Sequence, residues 1–337
     1  MKIDVILGAG RTATEINELG QLAERYGLQT FWNQSFPSRR DPLLTMAQLA
    51  GATSKIRLGT LPVSPYEIHP QRIADSILTF NELCGGRSSI LIGGLGHSVS
   101  RVTGLQPERR VTAVRDCVAA LKGIRPDQMT QYEGDCYSLM NYQPEWAVDE
   151  PPEIYVGSTG PQMLKMAAQV ADGIMMSDAP LGKMNEVLAS VSAGLEQAGR
   201  AKSDLKLNNF FAWHIKEDRD ESFAEARREL IWRGLLQAWF TEPFLGAEKA
   251  AFVESNKDAF LNAFLAHSDQ IQGVPDDMVD ALIENLTFAG GLDAIDKVIE
   301  HIRAFEAAGL DEIALKVHDN PAEAIRIIGE RLVPVFA

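Results

Sequence analysis

Eight short apolar runs, each followed by a stretch patterned as a helix or by a long helical excursion, dominate this sequence. The runs span residues 3–8, 28–32, 56–61, 89–92, 153–156, 173–176, 205–214 and 312–317. Bounded by turn residues, they have the pattern of buried strands. The helices between them carry their own start and stop signals. Thr12 to Arg25 places Leu19, Leu22 and Ala23 at helix spacing and stops at Gly27. Asp41 is placed to cap a helix through Ala50. Pro70 opens a helix that runs to Leu83, at a position where a missing N–H costs nothing. Pro107 opens another that ends at Gly123, and residues 124–150, with Pro126, Gly134 and Pro144, read as an excursion. Further helices are predicted over 162–170, 183–198 and 292–308, and from Pro321 to Ile328.

Strands alternating with helices imply right-handed parallel βαβ units. Eight such units predict an α/β fold, a closed (β/α)8 TIM barrel. An open doubly wound sheet is the alternative architecture. Residues 218–308 are much longer than one crossover, so 218–290 is predicted to be a helical insertion between strands seven and eight. Residues 1–337 then form one elaborated barrel domain.

The 337 residues carry 32 basic and 46 acidic side chains, a net charge of −14. Such a surface repels nucleic acid and anionic membrane. No stretch is long and apolar enough to cross a bilayer, and Met1-Lys2-Ile3-Asp4-Val5 lacks the features of a signal peptide. Cys84, Cys117 and Cys136 cannot pair evenly and show no Cys-x-x-Cys spacing. The expectation is a cytoplasmic protein that handles a small molecule, with neither nucleic acid nor membrane as partner. A phosphorylated cofactor stays compatible with the global charge, because a local nest of N–H groups binds phosphate.

Barrel enzymes carry their chemistry at the C-terminal ends of the strands. That rule selects Gly8 and Gly10, Gln34 and Ser35, Ser64, Tyr66 and His69, Gly94 and His97, Gly157 to Gly160, Ser177 and Asp178, Trp213 and His214, and Lys316 and His318. Within this set, Gly157-Ser158-Thr159-Gly160 lies between a strand and a helix start. It reads either as a phosphate cradle or as a plain turn with a hydroxyl cap. Leu61-Pro62 ends the third strand, as a cis bond or as a trans proline that stops it. Glycines 93, 94 and 96 bring His97 to the mouth, where it serves general acid–base chemistry or stands as an exposed bystander. His97, His214, His318 and Asp178 end four strands without metal-ligand spacing, which leaves a metal-dependent barrel hydrolase as a weaker alternative. No Gly-x-Ser-x-Gly elbow or Gly-Lys-Ser/Thr loop is present.

Three segments carry a resemblance. They are Arg57-Leu58-Gly59-Thr60 through Pro65-Tyr66 to His69-Pro70, Gly86-Arg87 leading to Ile92-Gly93-Gly94-Leu95-Gly96-His97, and Val156-Gly157 to Leu164 followed by Ala171-Asp172-Gly173. In this order they resemble the bacterial luciferase-like flavin/deazaflavin superfamily, in particular its coenzyme F420-dependent branch related to methylenetetrahydromethanopterin reductase. The likeness covers most of residues 1–200 and the last thirty. It implies a barrel with an insertion after strand seven, bound F420 (with FMN as the alternative) and a homodimer. It also implies a cis bond backing the deazaflavin ring, matching Leu61–Pro62, and a phosphate segment matching Gly157, Ser158, Thr159, Gly160 and Gln162. Ser64 matches a position near the ring carbonyls, and Gly94 and Asp178 complete the expected cofactor contacts.

The chain departs from the branch in places. Gln34-Ser35 stands where many relatives have Asp-His, and His97 where sugar-phosphate-oxidising relatives have Glu, which argues against glucose-6-phosphate oxidation. The function expected is hydride transfer between F420 and a small organic substrate. His97 is the expected proton carrier, and Gln34, Ser35 and Tyr66 are the polar substrate contacts. Trp32 and Trp213 read as core or as apolar walls. An FMN-dependent monooxygenase and a non-catalytic partner subunit are the other readings of the same scaffold.

Overall fold

The computed structural model describes residues 1–336, apart from the side chains of His97 and Ser98. Its strands are β1 (Lys2–Leu7), β2 (Thr30–Gln34), β3 (Arg57–Val63), β4 (Ser88–Ile92), β5 (Thr130–Glu133), β6 (Ser138–Tyr142), β7 (Glu153–Gly157), β8 (Gly173–Ser177), β9 (Lys206–Trp213), β10 (Thr287–Phe288) and β11 (Glu312–Val317). Eight of them pair in the order β11-β1-β2-β3-β4-β7-β8-β9, and β9 pairs back onto β11. This closes the parallel (β/α)8 barrel that the alternation predicts.

The apolar strand residues divide between two clusters, as period-two alternation requires. Val5, Phe31, Ile90, Val156, Phe211 and Leu315 face outward into a large core shared with the helices. Ile6, Trp32, Leu61, Leu91, Tyr155, Met175 and Ala314 form a separate cluster inside the barrel, with Phe210 packed against it. Trp32 and Tyr155 meet edge to face, 5.4 Å apart. Trp32 occupies space that a Cβ on Gly59 would take, since such an atom would lie 2.2 Å from its ring. Below them, Asp4 Oδ2 accepts from Trp32 Nε1 and Asn208 Nδ2, while Oδ1 is buried without a partner among the described residues.

Helix ends follow the sequence signals closely. Thr12 and Glu15 form a reciprocal capping box, and Asp41 accepts from Leu44 N–H at 2.9 Å. Pro70, Pro161 and Pro321 each occupy a first helical position. Three segments differ from the sequence expectation. The helix expected at Pro107 begins at Arg110, residues 97–103 form a short helix rather than an open glycine loop, and the excursion contains the antiparallel β5–β6 hairpin. Hairpin and short helix are both too brief to show a distinctive apolar period.

Between β9 and β10 lie the helices Arg219–Glu229, Ala238–Leu245, Ala247–Ser255, Lys257–Leu265 and Asp276–Leu286. They bury an apolar cluster of their own, including Leu230, Phe240, Phe260 and Leu282. β10 then pairs with the end of β9, and the helix Ile295–Ala307 leads back to β11. Among the described residues no helix is long and apolar enough to cross a membrane.

Candidate active site at the barrel mouth

Counting two residues on from the inward-facing Ile6, Trp32, Leu91, Tyr155, Met175, Phe210 and Ala314 gives Gly8, Gln34, Gly93, Gly157, Ser177, Ala212 and Lys316. These are the last inward positions of their strands or, for Gly8 and Gly93, the first residue beyond the strand. Four are glycine or alanine, so few side chains crowd the mouth, and its polar side chains are Gln34, Ser177 and Lys316. A Cβ on Gly8 would lie 3.2 Å from Lys316 Nζ, and one on Gly157 would lie 2.9 Å from Leu91. Both glycines therefore keep room at the mouth.

Two features adjoin this mouth. The Leu61–Pro62 bond is cis, and the β3–β4 register shifts between Thr60 and Val63. Gln34 lies directly opposite Leu61, and Ser35 N–H donates to Leu61 O at 2.6 Å. The second feature is the turn from β7 into the helix Pro161–Val170. Its N-cap is Gly160, no side chain caps it, and a Cβ at Gly160 would meet nothing within 4 Å. Ser158 Oγ is buried without a hydrogen-bond partner among the described residues. An open helix N-terminus beside an unsatisfied hydroxyl suits an anion. Thr159 and Gly160 are half-buried and Gln162 is exposed, so all three stand at the cradle's rim. Gly94 faces Met163 in this helix and the stem of Arg110, whose side chain takes part in no ion pair among the described residues. Arg110 was not singled out by the sequence reading. A basic residue at a helix start carries no motif.

Other expected site residues are engaged elsewhere. Asp178 is buried and pairs with Arg233 of the insertion at 2.7 Å, while Ser177 Oγ and Gly234 N–H also donate to it. Its carboxylate is therefore saturated by the protein itself. Arg233 also lies over the Phe210 ring, 5.4 Å from its centroid. Ser64 Oγ accepts from Tyr66 N–H, and Tyr66 Oη donates to Glu108 O. Ser35 and Ser64 line a groove on the barrel flank, between the helices Pro42–Ala52 and Pro70–Leu83. Trp32 and Trp213 are fully buried core residues. His97 begins the helix His97–Thr103, and its side chain lies outside the described residues.

The insertion reaches over β9 and β11. Glu225 pairs with His214 Nδ1 at 2.7 Å and with Lys216 Nζ at 2.9 Å, and accepts from Asp319 N–H. His214 and His318 stack with centroids 4.7 Å apart, and each has a buried, unpartnered Nε2. Burial holds both rings below the usual histidine range, opposed at His214 by Glu225. Among the described residues no three His, Cys, Asp or Glu side chains converge as a metal site. Lys316, 6% exposed, donates to Gln34 Oε1 at 2.9 Å. It has no carboxylate within ion-pair distance among the described residues. Burial, with Arg233 and Arg11 nearby, draws its ammonium down to about 7 against the opposing pull of Glu229.

A closed barrel with small residues at its mouth, an uncapped helix N-terminus on one side and a charged helical insertion on the other is the frame of a barrel enzyme. The chain belongs to the luciferase-like monooxygenase family, an oxidoreductase family, whose model matches residues 1–312. It is 25% identical over 325 residues to a 5,10-methylenetetrahydromethanopterin reductase of Archaeoglobus fulgidus, covering 95% of each chain. The fold is similar to the coenzyme F420-dependent tetrahydromethanopterin reductase of Methanopyrus kandleri, with a TM-score of 0.81 at 21% identity over 100% of this chain and 99% of that one. It is also similar to an F420-dependent secondary alcohol dehydrogenase, with a TM-score of 0.76 at 19% identity over 100% and 99% of the two chains.

Proposed function

We propose that this protein is an F420-dependent oxidoreductase that transfers a hydride between the deazaflavin and a small organic substrate. The observation that carries the reading is the 157–160 turn at the barrel mouth, where an uncapped helix N-terminus stands beside the unpartnered Ser158 hydroxyl. The two solved structures named above are F420-dependent by their descriptions, and each covers 100% of this chain. In this reading the open N–H groups at 160–163 and Ser158 Oγ hold the cofactor phosphate. Arg110 adds positive charge beside them. Leu61-Pro62 backs the ring, and Gly94 leaves space next to it. F420 supplies two electrons as a hydride, because carbon replaces the reactive nitrogen of a flavin. The protein's part is to exclude water, orient the acceptor and move a proton.

FMN is the alternative ligand of the scaffold, so the deciding experiment is a binding titration of the full chain with F420, FMN and FAD. F420 is expected to bind most tightly. Gly160→Glu places a carboxylate in open space at the cradle and is expected to weaken F420 binding about 10-fold or more. Tighter binding of FMN, or unchanged affinity in the variant, would overturn the reading. A homodimer is part of the same proposal, supported by Leu44, Ile68 and Leu83, which lie exposed along the flank groove. No observation favours the metal-dependent hydrolase.

A further inference from the structure

We infer that Lys316 is the acid that protonates the reduced substrate, an inference that rests on the hydride-transfer reading above. The argument begins with position. Lys316 is the last inward residue of β11, and its Nζ lies over Gly8, where any side chain would crowd it. Its one hydrogen-bond acceptor among the described residues is Gln34, which stands opposite Leu61 at the start of the cis segment. An amine, an amide and the ring-backing segment thus follow one another across β11, β1, β2 and β3.

Burial supplies the second half. A lysine this enclosed is almost always paired with a carboxylate, and this one donates to a neutral amide. Four charged or titratable groups surround it. Arg233 and Glu229 come from the insertion, Arg11 from the loop after β1, and His318 from two residues further along its own chain. The two arginines disfavour a charged amine, and Glu229 does not come within ion-pair distance to compensate. The structure accepts the cost of burying a cation at the site where a reaction needs a proton.

The step balances as follows. The acceptor carbon gains a C–H bond with the hydride's electron pair, and its π bond breaks toward the neighbouring atom. That atom takes the proton from Nζ, leaving a neutral amine that water reprotonates. The reduced deazaflavin of the proposed function is the two-electron donor.

The first test needs no cofactor. The full chain, labelled with 13Cε-lysine, is titrated by NMR, with the Lys316 signal assigned by its loss in Lys316→Arg. Titration near neutrality is expected, and titration above about 9, toward the ordinary lysine range, would overturn the inference. The second test compares unaltered, Lys316→Arg and Lys316→Met chains. Arginine keeps the charge but cannot release a proton at these pH values. Both variants are expected to bind F420 as the unaltered chain does. With reduced F420 and cyclohex-2-enone or acetone as acceptor, both are expected to lose about 100-fold in kcat/KM together with the pH dependence above neutrality. Rescue of turnover by arginine would assign Lys316 a charge-holding role and overturn the inference. Should one variant fail to fold, the other supplies both the assignment of the Lys316 signal and the turnover comparison. Failure of F420 to bind would remove the hydride-transfer reading while leaving the lysine titration intact.

Discussion

At the scale of single residues, the mouth is governed by which polar groups are buried and what remains to satisfy them. His214 and His318 stack beneath the insertion, and burial disfavours the charged form of both. An unfolded chain protonates its histidines as the pH falls through about 6.5, and the folded chain takes up those protons only at lower pH. The stability that comes from these rings is therefore complete above that pH and drains away below it. The urea midpoint is expected to fall between pH 7 and pH 5.5. In His318→Gln the fall should be smaller, and an equal fall would remove His318 from the cause. Sequence alone could place these residues at strand ends but could not pair them. Nothing in the spacing of His214 and Glu225 says that one bonds the other across the barrel rim. Lys316 was equally visible as a strand-end residue. Its enclosure depends on Gly8, Gln34 and Arg233, which chain order does not bring together. Asp178 shows the converse, since its partner comes from a remote segment and saturates the carboxylate expected to face a ligand.

Among elements, the helical insertion and the barrel are joined by charges buried at their junction. Asp178 and Arg233 are 0% and 3% exposed in their side chains and 2.7 Å apart. Removing one member of such a pair strands the other. Arg233→Met is expected to cost about 3–5 kcal/mol in urea unfolding, and adding Asp178→Asn should recover much of that loss. A single variant as stable as the parent would contradict this account. The barrel elements themselves were legible because local signals and tertiary need agree. Asp41, Pro70 and Pro321 mark helix starts, and short unbroken apolar runs mark strands buried on both faces. The β5–β6 hairpin was not legible. Its strands carry Thr130, Gln131, Tyr132 and Glu133 against Ser138 and Asn141, and only one side of it meets the core. The start of the helix at Arg110 was missed for a related reason. Pro107 is a stronger local signal than anything at Arg109, which adopts a left-handed conformation at the N-cap.

For the whole molecule, the exposed apolar side chains are unevenly placed. Leu44, Ile68 and Leu83 are 76%, 46% and 54% exposed around one groove. Apolar clusters of that kind mark association surfaces. A self-complementary dimer is the commonest outcome for a single type of chain. Light scattering of the full chain is expected to give twice the monomer mass, and Leu44→Asp to give the monomer. A monomeric parent would refute the dimer proposal. The division of the barrel into an inner apolar stack and an outer jacket has a further consequence. The jacket carries most of the buried apolar surface, and it does not include Gly8, Ser177 or Ala212. Substitutions there act on the mouth itself, since a Cβ at Gly8 meets Lys316 Nζ and Ser177 Oγ donates to Asp178, and they leave the load-carrying shell untouched. Damage to the inner ring and damage to the outer shell should therefore be separable, the one read in ligand affinity and the other in unfolding.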